Sequence, residues 1–133
     1  MRNVRPVFLF CLAVLSFSGC GGHASIDAAT RARANAACHR ENATISSDED
    51  RLSGNFTAAD IDAIQQEVAT LRKLGLGRQL ASAFSEVNQA RATLLAQAGS
   101  PAEANGHLLA AQQHAAKVGI VCSFGALPTR LFG

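Results

Sequence analysis

Three stretches of this chain repeat apolar residues every three or four positions, and each has a readable boundary, which is the pattern of amphipathic α-helices. In the first, Thr57-Ala58-Ala59-Asp60 sets a capping hydroxyl three residues ahead of a carboxylate, and Ile61, Ile64, Val68 and Leu71 follow at helical spacing. Gly75 and Gly77 interrupt it. The next stretch carries Leu76, Leu80, Phe84, Val87 and Leu94, with Gly99 placed to end it. Ser100-Pro101-Ala102-Glu103 then combines an N-cap serine, a first-turn proline and a glutamate at the capping-box position. The helix it opens presents Ala104, Leu108, Ala111, Ala115 and Val118 on one face and meets Gly119. An earlier alanine-rich segment, 27–45, is weakly amphipathic, with Ala34, Cys38 and Ile45 as its inward face. The chain has no Trp and no Tyr, and its alanine content favours helix. These features predict an all-α fold, a small helical bundle of four helices with three as the alternative count. SSDEDRLSGN, residues 46–55, is expected to be an acidic surface loop, and Leu131 and Phe132 are expected to pack back onto the bundle.

The first twenty residues assign a compartment. Arg2 and Arg5 precede an apolar run from Val7 to Leu15, followed by small residues, which is the layout of a secretory signal. The run falls short of the roughly 20 apolar residues that span a bilayer. Phe17-Ser18-Gly19-Cys20 resembles a bacterial lipobox, with Phe17 where that pattern prefers leucine. The resemblance implies that Cys20 becomes the acylated first residue of the mature protein. Two or more acyl chains give stable anchoring, since each buried methylene contributes about 0.8 kcal/mol. Ordinary cleavage after Ala24, leaving a soluble secreted protein, is the alternative. The expected organisation is a signal peptide at 1–19, a lipidated tether at 20–26 and a helical domain at 27–133. Gly21 is not the aspartate that retains many lipoproteins at an inner membrane, so a diderm host would send the protein to its outer membrane.

Removing the signal changes the meaning of charge and cysteine. The whole chain has 12 basic and 10 acidic residues, and two of the basic ones are Arg2 and Arg5, so the mature chain is formally neutral. No basic stripe is expected to remain that could hold nucleic acid or an anionic surface. Of the 4 cysteines, Cys11 leaves with the signal and Cys20 takes the lipid, so Cys38 and Cys122 remain. An even pair in an oxidising compartment points to one disulfide. It would close a loop of about 85 residues, for which chain entropy gives roughly 4–5 kcal/mol.

Cys38-His39 invites comparison with covalent haem attachment, which needs Cys-x-x-Cys-His. Asn35 stands where the first cysteine belongs, and Met1 is the only methionine, so the common methionine axial ligand is absent too. His107 and His114 lie about 10.5 Å apart along one helix and do not share a small ion. Glu103 and His107, at i and i+4, could, and with His39 they are the weak metal candidates. A solvated helix flank has the same look. Asp48-Glu49-Asp50 fails as an EF-hand, because Leu52 occupies an oxygen-ligand position and Ser53 the turn glycine. No Gly-x-Ser-x-Gly, phosphate loop or His-Glu-x-x-His occurs, so no catalytic residue and no cofactor are expected.

Asn35-Ala36-Ala37-Cys38 with Asn42, and Val118-Gly119-Ile120-Val121-Cys122 near the end, together resemble small alanine-rich lipoproteins of actinobacterial type. The resemblance implies a disulfide-closed helical domain outside the membrane and supplies no activity. The expected function is that of a lipid-anchored, non-enzymatic structural or protein-interaction module of the cell envelope. Its partners would be the membrane, through the lipid, and an envelope protein. The alternative is an envelope metal- or haem-binding protein.

Overall fold

The computed structural model describes residues 25–128; Cys20, His23, Leu131 and Phe132, with the expectations attached to them, lie outside the described residues. The described chain is all-helical: α1 (Ala28–Asn42), α2 (Asp48–Leu52), α3 (Ala58–Lys73), α4 (Ala81–Leu95) and α5 (Pro101–Lys117). Five helices therefore replace the expected four. The additional one is α2, inside the segment expected to be a loop. Ser47 caps it by accepting from Asp50 N, and three acidic residues fill its first turn, where the helix dipole favours them.

Caps set most of the other boundaries. Asp27 accepts from Thr30 N at 2.8 Å to start α1, and Thr57 and Asp60 form the reciprocal capping box of α3. Ser100 opens α5 with proline in the first turn, as the sequence indicates. The start of α4 departs from expectation. Leu76 and Leu80 are buried but sit in turns ahead of the helix, which begins at Ala81 without a side-chain cap. Gly75, at φ +82°, makes that break possible, because L side chains rarely adopt such a conformation.

Helices α4 and α5 pack as an antiparallel pair along Ala83, Val87, Ala90, Ala104, Leu108 and Ala111, with α1 against α3 and α3 joining the two pairs. Alanine along these faces lets the backbones approach closely. Leu71, Leu80, Leu108 and Val87 supply larger buried volume.

Beyond α5 the described residues, 118–128, form no further helix but cross the bundle as a strap, burying Ile120, Cys122, Phe124 and Leu127. Residues far away in sequence hold it. Asn35 Oδ1 accepts from Val121 N at 2.9 Å, and Ser123 Oγ donates to Asn42 Oδ1 at 2.8 Å. The buried guanidinium of Arg51 donates to Gly125 O, which gives α2 a structural task. Leu127 N donates to Asn105 Oδ1 at 2.6 Å, and Asn105 Nδ2 donates back to Leu127 O at 3.5 Å. Phe124, at φ +49°, is fully buried, so packing holds a left-handed backbone that a bulky residue otherwise avoids. Asn105→Ala should lower unfolding free energy by about 2–3 kcal/mol, because it leaves two buried backbone groups of Leu127 unpaired. Urea denaturation checks this; a loss below about 0.5 kcal/mol would show that the strap is not anchored there.

Candidate functional site

Two cysteines and one carboxyl converge in the protein's interior. Cys38, on the inward face of α1, and Cys122, on the strap, form a disulfide across 84 residues with their Cα atoms 5.2 Å apart. Both are almost wholly buried. From α3, Glu67 projects onto them and is fully buried, with Oε1 2.7 Å from Cys122 Sγ. A disulfide sulfur carries no hydrogen, so the proton in this contact belongs to the carboxyl. The second oxygen, Oε2, has no hydrogen-bond partner among the described residues.

Electrostatics agrees with a protonated acid. Burial pushes the Glu67 carboxyl up to about 8 from an ordinary 4.5, and the nearby Glu41 carboxylate adds to the shift. Cys38, Cys122 and Glu67 bring their ligand atoms within 4.8 Å of one another, the spacing of a metal site. Joined in a disulfide, however, the sulfurs offer no thiolate, and zinc-type coordination needs thiolates. In this state the cluster is a closed cross-link with a neutral acid against it. Reducing it requires opening the strap, because almost no sulfur surface meets solvent.

Asp60 is the opposite case among buried carboxyls. Burial alone would raise it, but Ser46 N and Thr57 N donate to it at 2.6 and 2.8 Å, their hydroxyls add 2.9 and 2.8 Å bonds, and the net effect lowers it. It stays charged and pins the α1–α2 connection to the start of α3.

The residues singled out from sequence are dispersed. Cys38 and Cys122 meet as expected. His107 turns to α4, where its Nδ1–H donates to Glu86 Oε2 at 2.7 Å, since a carboxylate only accepts. Glu103 is exposed in the first turn of α5, and its backbone N–H meets the Ser100 cap. His39 is exposed on α1, beside the disulfide in sequence but facing away from it. The three are not assembled into one ligand set.

Glu67 escaped the sequence reading, although a signal was present. It sits three residues after Ile64 and four before Leu71, on the apolar face of α3, where a charged residue has no solvent. The Glu86–His107 pair had no such signal, because it joins two helices. No described helix is long and apolar enough to cross a membrane. Comparison with protein-family models, with curated proteins and with solved structures gives no match.

Proposed function

We propose that this chain is a lipid-anchored, non-enzymatic module of the cell envelope that acts through contacts of its folded surface or through a structural role. The observation that carries the reading is the buried Cys38–Cys122 bond closing a domain that starts within a few residues of the lipobox. Disulfides persist in oxidising compartments. The signal-like start and Cys20 supply a route to such a compartment and an attachment there. Ile26 is already part of the core, so an acyl group on Cys20 would hold the domain close to the bilayer.

The test is the intact mass of protein purified from membranes without reductant and treated with a thiol alkylator. The expected mass is that of the chain from Cys20 plus acyl chains, with no alkylation until reduction. Cleavage after Ala24 without added mass would refute the anchor. Free thiols at Cys38 and Cys122 would refute the closed domain. The metal- or haem-carrier alternative requires a second ligand to join His107 Nε2, which the Glu86 contact at Nδ1 leaves unengaged, and equilibrium dialysis with zinc or haem tests it directly.

A further inference from the structure

An open cleft of about 840 Å³ lies where the start of α1, the approach to α4 and the end of α5 meet. Its walls carry Arg31, Arg78, Lys117 and His114 together with the hydroxyls of Ser25 and Ser82. None of the chain's acidic residues lines it. The acid nearest in sequence, Asp27, is engaged as the N-cap of α1. Arg31, Arg78 and Lys117 are exposed and form no ion pair among the described residues. Arg31 is oriented from behind, donating through Nη2 to Ile26 O at 3.1 Å and lying against Gly119. Three permanent cations in one concavity repel each other, an arrangement that an anion relieves. In a mature chain with no net charge the concentration is a matter of placement, not of composition.

The charge distribution has a direction. Asp48, Glu49 and Asp50 follow the other end of α1, about 22 Å away along its axis. The cationic end is also the end where the tether enters, since Ser25 is part of the cleft wall. Ser25 lies five positions after Cys20, and a fully extended chain spans at most about 18 Å over that distance. An anchored domain therefore cannot carry this cleft far beyond the headgroup layer.

We propose that the cleft is a docking site for the phosphate headgroups of anionic phospholipids, so that the domain rests on the bilayer with its basic end down and its acidic end outward. Arg31, Arg78 and Lys117 supply the charge, Ser25 and Ser82 hydrogen-bond donors, and Ile26 and Val118 an apolar wall for the glycerol portion. The orientation rests on the lipid-anchored reading, but headgroup binding by the cleft does not, and the two are tested separately.

The mature chain from residue 20, carrying Cys20→Ser and so no acyl group, would be sedimented with phosphatidylcholine vesicles with and without phosphatidylglycerol. Binding is expected only to the anionic vesicles, weakening as salt is raised. At about 1 kcal/mol per basic residue near the surface, R78Q/K117Q should reduce partitioning about 30-fold and R31Q/R78Q/K117Q about 160-fold. The double variant spares the Arg31–Ile26 contact, so it reads the charge without loosening the start of α1. R33Q/R40Q/R91Q removes the same charge from exposed positions outside the cleft and should bind as the parent does. Equal binding to both vesicle types would overturn the proposal. So would an equal loss in R33Q/R40Q/R91Q, or calorimetric binding of inorganic phosphate without any preference for anionic vesicles. Failure of the anchor appears separately, as missing acyl mass on Cys20.

Discussion

Cys38→Ala/Cys122→Ala is expected to lower the melting temperature by about 20–30 °C. The bond spans 84 residues, and chain entropy for a loop of that length is worth about 4–5 kcal/mol. One kcal/mol moves the midpoint of a domain this size by roughly 4–8 °C. The alanine-lined contacts between helices bury little area per residue, so the remaining core has limited reserve. Alanine is the informative replacement, because it removes the cross-link without adding a polar group beside Glu67. Calorimetric melts of the parent, with and without reductant, and of the double variant check the expectation. A shift below about 5 °C would mean that the strap docks as well without the bond, with its hydrogen bonds to Asn35, Asn42 and Asn105 sufficient by themselves.

The second large effect depends on pH. The Glu67 carboxyl titrates at about 8 in the folded protein and near 4.5 when the chain unfolds. Between those values the unfolded chain gives up its proton and the folded one keeps it. Stability is therefore fully present below pH 4.5, falls by about 1.4 kcal/mol for each pH unit above it, and levels off past pH 8. The total cost approaches 5 kcal/mol. Glu67→Gln keeps an N–H donor for the contact with Cys122 Sγ and cannot ionise. It should match the parent at pH 4 and exceed it by about 3 kcal/mol at pH 7. Asp60 works in the other direction: its lowered value makes a contribution that is present above 3.8 and is lost as pH falls through the folded value. The two windows do not overlap, and together they set maximal stability on the acidic side of neutrality. Urea denaturation of parent and Glu67→Gln from pH 4 to 9 decides the matter, and parallel curves across that range would refute a neutral buried acid.

Much of the helical content was legible in the sequence because local chemistry dictates it. The Thr57 and Ser100 caps, the first-turn proline and the 3–4 spacing of Ile64, Val68 and Leu71 act within a few residues of one another. The Cys38–Cys122 pairing was legible for a different reason: once two cysteines are assigned to signal and lipid, the remaining two can only pair with each other. Helix α2 was missed because a run of acids and serines suits both a loop and a capped first turn, and the deciding contact, Arg51 to Gly125, comes from 74 residues away. The same holds for Leu76 and Leu80. Their spacing continues the helical pattern, but Gly75 turns the chain and leaves them buried ahead of α4. Nor could spacing reveal the cationic cleft, since Arg31, Arg78 and Lys117 come from three separate parts of the chain.

The strap also governs the order in which this fold can be completed. Its partners, Asn35, Asn42 and Arg51, are synthesised well before the strap, which follows them by 74 to 86 residues. Helical turns form locally as the chain emerges, but contacts across 74 to 86 residues must wait until the strap itself has been made. Until then Cys38 has no mate and Glu67 remains in water as an ordinary charged side chain. A chain built this way stays open and threadable while it grows, and a version truncated before Cys122 would have helices but no closed domain.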